Sequence, residues 1–176
     1  AVMAAPTAPT KVDGRAFVQT ATGVGFVSGN ELEVIPGLSA QLARLQSQRI
    51  ELAPSQEFAA VLGVDGQVSR VPREGDALVL DSRRGLIAPT VDPWGAIWSV
   101  PSAVIAYRST GEATAIASAW PDASEIAGMQ LSRDGTRVAA AVTIGGQSWM
   151  EIAAVRRDAD GKPVALGEPL KVARLS

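Results

Sequence analysis

The sequence predicts an all-β chain built from β-propeller blades, four-stranded antiparallel units that repeat about every 40 residues. Three observations carry this prediction. Met129–Val142 (MQLSRDGTRVAAAV) reads as strand, tight turn, strand, with Asp134-Gly135 supplying the turn. Weaker copies of the same unit stand upstream at Leu86–Val100 (LIAPTVDPWGAIWSV) and Arg49–Leu62 (RIELAPSQEFAAVL), the latter with a shortened turn at Pro54–Glu57. The second strands of the three copies begin near Phe58, Ile97 and Val138, spacings of 39 and 41 residues.

Taken in order, Ala1–Thr10 is small residues, Thr and Pro, so residues 1–14 read as a linker and residues 15–176 as a partial propeller domain. Ala16–Gln19, Gly23–Val27 and Glu31–Ile35 are short β-like runs, the last two joined as a hairpin through Gly29-Asn30. They form an incomplete unit near residues 15–48. Leu38–Gln48 places Leu38, Leu42 and Leu45 at helical spacing, but eleven residues make a marginal helix. A connecting strand leading into Arg49–Leu52 is the preferred reading there.

The first full blade spans 49–80, with strands at Arg49–Leu52, Phe58–Val64, Gln67–Val71 and Ala77–Leu80. Asp65-Gly66 makes its central hairpin. The second spans 86–118, with strands at Leu86–Ala88, Ala96–Val100, Val104–Arg108 and Thr114–Ser118. The third spans 126–174, with strands at Ile126–Leu131, Val138–Ile144, Ser148–Val155 and Leu170–Arg174, and Arg156–Gly167 as a charged loop. Val138–Val142 is expected to be buried on both faces, like Ile97-Trp98 and Phe58–Leu62. Three blades and a fragment do not close a ring of four to eight, so the chain reads as part of a longer propeller.

Composition narrows function by exclusion. The chain of 176 residues has net charge −2 and contains neither His nor Cys. That removes the Ser-His-Asp triad, the Cys-His dyad and the usual zinc ligand sets. Charge is even, with 8 basic and 9 acidic residues in each half, so no basic stripe exists to bind nucleic acid. Asp65-Gly66, Asp134-Gly135 and Asp158–Gly161 are turn formers rather than calcium loops, because none supplies the alternating ligands that end in Glu. No cofactor, metal site or catalytic residue is expected, and no run approaches a membrane span.

Four Trp stand against one Tyr. Trp98 lies mid-strand and belongs to the core; Trp149 suits core and surface equally. Trp94 and Trp120 fall in turns, where each is either a packing plug or, if exposed, an anchor for a partner. These two are the candidate partner-binding residues.

VDPWGAIWSV at Val91–Val100, MQLSRDGTRVAAAV and EIAAVRRDADGKPVALGEPL at Glu151–Leu170 together resemble the β-propeller half of LpqB-type actinobacterial lipoproteins, over about Phe17–Ser176. The resemblance implies an extracytoplasmic, membrane-anchored lipoprotein in which a GerMN-like region precedes the propeller. It also implies association with the MtrA–MtrB two-component system through the extracytoplasmic domain of the sensor histidine kinase. The lipobox Cys, the GerMN-like region and later blades are not in this sequence, so contact with the membrane would come only through a lipid anchor outside it. No catalytic residue carries over. The expected function is a non-enzymatic binding scaffold. The alternative is a propeller-type hydrolase, or a small-molecule sensor whose site forms only in the full ring; the absence of His and the single Asn30 supply the hydrolase poorly.

Overall fold

The computed structural model describes residues 17–20, 23–28, 30–45, 47–101 and 103–176; the linker expected over 1–14 lies outside them. Four antiparallel sheets follow one another along the chain. The first contains β1 (Phe17–Thr20), β2 (Gly23–Ser28) and β3 (Glu31–Val34). The second is β4 (Ser47–Leu52), β5 (Phe58–Gly63), β6 (Val68–Pro72) and β7 (Leu78–Asp81). The third is β8 (Thr90–Val91), β9 (Ile97–Ser99), β10 (Val104–Tyr107) and β11 (Ala113–Ile116). The fourth runs β12 (Glu125–Leu131), β13 (Arg137–Ile144), β14 (Gln147–Arg157) and β15 (Pro163–Leu166), and β16 (Leu170–Arg174) also pairs with β14. Apart from β16, neighbours in sequence are neighbours in each sheet, an arrangement consistent with a β-propeller domain, although these sheets do not close a ring.

Four expectations change. Residues 36–42 form a helix, α1 (Pro36–Leu42), rather than a connecting strand. Pro36 sits in its first turn, where a missing N–H costs nothing. Seven residues do not hold a helix alone, so tertiary contacts do: Leu38 and Leu42 pack with Val24, Phe26, Val61 and Val71 between the first and second sheets. The first strand of the third sheet is Thr90–Val91, not Leu86–Ala88. Pro89 has no N–H to give a ladder, and upstream of it Ile87 bonds back to the Val100 carbonyl at 3.2 Å. The loop expected over Arg156–Gly167 is instead a hairpin: β14 continues to Arg157 and pairs with β15 across Asp158–Lys162. Last, the turn at 54–57 is not the short one. Ala53 bonds Phe58 as Ser132 bonds Arg137, five residues on, whereas Asp92 bonds Ala96, four on. Gln56 (φ 63°) therefore takes the left-handed position that Gly95 and Gly135 fill in the other two sheets.

The turns align the sheets residue by residue and explain their packing. Ala59, Ile97 and Val138 are equivalent, as are Ala60, Trp98 and Ala139. Ala59 and Val61 face the first sheet; Phe58, Ala60 and Leu62 face Val91 and Ile97 of the third. Trp98 and Val100 face Met129, Leu131, Val138, Ala140 and Val142 of the fourth. Phe58–Leu62 and Ile97-Trp98 are thus buried on both faces. Val138 and Val142 are buried, but Ala139 and Ala141 are only half-buried, because among the described residues no sheet covers that side.

Polar groups fix the register of these apolar faces. The first strands of the second, third and fourth sheets are stitched by equivalent side chains: Glu51 Oε1 accepts from Thr90 Oγ1 (3.1 Å) and Val91 N (3.0 Å), and Gln130 Nε2 donates to both Glu51 oxygens (3.2 Å each). Thr90 Oγ1 in turn accepts from Leu131 N at 3.2 Å. Burial among neutral partners pushes the Glu51 carboxyl up. At the end of β7, Asp81 accepts from Ser99 Oγ of the third sheet (2.7 Å) and pairs with Arg83 (2.6 Å), which also donates to the Ala103 carbonyl (3.1 Å). Burial alone would raise the Asp81 carboxyl, but the bonds from Arg83 and Ser99 hold it down at about 2.

The signs of the two shifts are opposite. Asp81 contributes stability that is complete above its ordinary value of 3.8 and lost as pH falls through about 2. Glu51, raised, favours the folded state more on the acid side and loses that contribution as pH rises through its folded pKa. Asp81→Asn should therefore lower stability by about 1–2 kcal/mol at pH 7, with the gap to the parent chain closing towards pH 2. Thermal melts across that range check it, and a pH-independent gap would contradict the assignment.

Candidate functional site

Alternating strand direction places the turns β4–β5, β8–β9, β10–β11, β12–β13 and β14–β15 at one end of the sheets. A cleft of about 490 Å³ opens there between the second and third sheets and the β14–β15 hairpin. Its apolar surface includes Pro54, Phe58, Pro93, Trp94 and Pro163; Arg108, Lys162 and Asp160 supply charge. Arg108 lies 4.0 Å and Lys162 3.5 Å from Glu112, distances at which partly exposed ion pairs hold weakly.

One buried carboxylate shapes this end. Asp92, on the turn after β8, is fully buried. Its Oδ1 accepts from Trp94 N (3.0 Å) and Ala96 N (2.9 Å), closing the turn. Its Oδ2 accepts from Trp98 Nε1 (3.0 Å) and Arg157 Nη1 (2.9 Å). Arg157 comes from the fourth sheet, and its side chain is 3% exposed. It donates further to the carbonyls of Gly135 (3.0 Å) and Gly161 (2.8 Å), so the guanidinium is almost fully satisfied. Its Cζ stands 4.1 Å over the Trp94 ring.

Trp94 is therefore held between Arg157 and the glycines of two turns. A Cβ on Gly161 would overlap the indole nitrogen, and one on Gly135 would press on both Pro93 and Trp94. Trp94 is half-buried and keeps part of its surface in the cleft. Trp120 does not meet the condition for an anchor. It is 3% exposed and lies in the core between the third and fourth sheets, with Trp98, Val104 and Leu131. The link that carries it leaves β11 at the opposite end from Trp94, so the two candidates are not brought together. Trp98 is core, as expected, and Trp149 is half-buried beneath Lys171 Nζ at 4.5 Å.

Sequence reasoning read Asp92 as a turn former and Arg157 as part of a loop, and so missed their pairing. Asp158–Gly161 reads as a turn in the sequence; what that reading leaves out is the strand pair that it joins, Val155–Arg157 with Pro163–Leu166. Pro163 fits this pattern, because Pro is tolerated as the first residue of a strand. The turns themselves behave as read. Asp134 Oδ1 accepts from Ser132 Oγ (2.6 Å), Thr136 N (3.0 Å) and Thr136 Oγ1 (2.8 Å), and these bonds hold its carboxyl down at about 2. Among the described residues no three His, Cys, Asp or Glu side chains gather as metal ligands, and no helix is long and apolar enough to cross a membrane.

Gly161→Ala should lower stability by about 1–3 kcal/mol, through both its positive φ (76°) and the overlap with Trp94. Ala at Gly66, which shares the φ but has open space around it, should cost less. Denaturant titration of the two variants decides, and equal losses would mean the indole contact does not matter.

No curated protein matches the chain. The family model described as the Lipoprotein LpqB beta-propeller domain matches residues 17–176, and the chain belongs to that family.

Proposed function

We propose that the chain is a non-enzymatic extracytoplasmic binding scaffold, the propeller region of a lipid-anchored envelope protein. Its four sheets act as three blades and part of another. Its partner is the outward-facing domain of a sensor histidine kinase of the MtrA–MtrB kind, whose signalling it modulates. The observation that carries this reading is the cleft at the loop end, where turns of three sheets converge on a half-buried Trp94 with Arg108 and Lys162 beside it. Rigid loop ends of this kind serve recognition. The family is not known for an enzymatic activity, and a chain without His supplies hydrolytic chemistry poorly. A small-molecule sensor is the second reading, favoured by a cleft volume of about 490 Å³, within the usual range for ligand sites.

Calorimetric titration of the chain with the extracytoplasmic domain of the kinase tests the proposal. Arg108→Glu and Lys162→Glu should each weaken binding about tenfold, or about 1.4 kcal/mol, with little change in thermal stability because both side chains are at least partly exposed. No binding at all, or binding indifferent to both substitutions, would sink this reading.

A further inference from the structure

The end of the sheets opposite Trp94 holds a second hollow, of about 470 Å³, between the link from β7 to β8 and the link from β11 to β12. Ile87, Pro101, Pro121 and Ile126 give it apolar walls, and Trp120 lines it with them. Both links are tied down. Ile87 N donates to the Val100 carbonyl (3.2 Å), and Ser124 N donates to the Thr143 carbonyl (2.9 Å). The hollow is thus formed before anything enters it, and its volume suits a small molecule.

Three polar groups on its walls keep unused bonding capacity. Trp120 is 3% exposed, yet among the described residues its buried Nε1 finds no acceptor. A buried indole N–H usually has one. Ser118 Oγ accepts from Trp120 N at 3.1 Å, which leaves its own proton to give. Glu125, at the start of β12, is exposed and forms no ion pair among the described residues. No Lys or Arg lines the hollow, so an anion would find nothing there to balance its charge. Two donors and one carboxylate on apolar walls suit a ligand that brings an acceptor, a cation and an apolar body.

We propose that this hollow binds a small molecule that carries a protonated amine and a carbonyl oxygen on an aliphatic chain. Glu125 pairs with the amine. Trp120 Nε1 and Ser118 Oγ donate to the carbonyl oxygen, and the aliphatic chain lies against Ile87 and Ile126. The site stands at the other end of the sheets from the Trp94 cleft, so it does not depend on a kinase partner there.

The indole N–H is itself the reporter. In an NMR titration of the isotope-labelled chain, 6-aminohexanamide at millimolar concentration is the probe, and Trp120→Phe assigns the Trp120 indole signal. That signal should shift, while the signal of the Trp98 indole, bonded to Asp92 at the far end, stays in place. Hexanamide, which lacks the amine, should bind about tenfold more weakly, and Glu125→Gln should weaken binding of the aminoamide by a similar factor without changing the melting temperature. Hexylamine, which lacks the carbonyl, should leave the Trp120 signal where it is. An unmoved Trp120 signal with the aminoamide would overturn the proposal, water then being the partner of the indole. Equal binding of hexanamide, or binding indifferent to Glu125→Gln, would overturn it as well.

Discussion

A carboxylate at Asp92 that has no contact with solvent must be fully paired, and the donors that pair it belong to two different sheets. A buried charge stripped of its partner costs about 3–5 kcal/mol, so the arrangement is strongly held once formed. Its consequences spread through the loop end. The bond to Trp98 sets the core indole of the third sheet, and the two backbone bonds close the turn that carries Trp94. The bond to Arg157 draws the β14–β15 hairpin across the third sheet, and the same guanidinium covers the Trp94 ring. The cleft exists because this hairpin is held there.

The same division of labour recurs between the other sheets. Apolar faces pack these sheets together, but such contact is non-directional and would tolerate sliding. Directional groups remove that freedom: Glu51, Thr90 and Gln130 along the first strands of three sheets, and Asp81 with Ser99 and Arg83 between the second and third sheets. The carboxylates differ in what neutralises them. Asp81 and Asp92 have guanidinium partners, whereas burial pushes the Glu51 carboxyl up and its neutral donors only partly offset this.

Most of the architecture was legible because propeller units announce themselves locally. Asp65-Gly66 and Asp134-Gly135 mark turns wherever they occur, and the runs at Phe58, Ile97 and Val138 alternate with them at a steady period. What was not legible depends on distant partners. Seven residues with three Leu nearby do not show whether a helix will find a surface, and α1 exists because the first and second sheets offer one. A Trp beside a Pro does not reveal that it is a plug, as Trp120 is. Asp92 and Arg157 lie 65 residues apart, and no pattern within either segment points to the other. The site was visible only as a loop containing Trp94; the pair that builds it was not.

The central claim is that the loop end is organised by the Asp92–Arg157 pair rather than by apolar packing alone. A double-mutant cycle with Asp92→Asn and Arg157→Met, read by denaturant unfolding, measures this most directly. The expected result is that each single change is strongly destabilising and that the double change costs clearly less than their sum, with a coupling energy of about 2–3 kcal/mol. Additive losses, with coupling near zero, would show that the two side chains sit beside each other without organising the site.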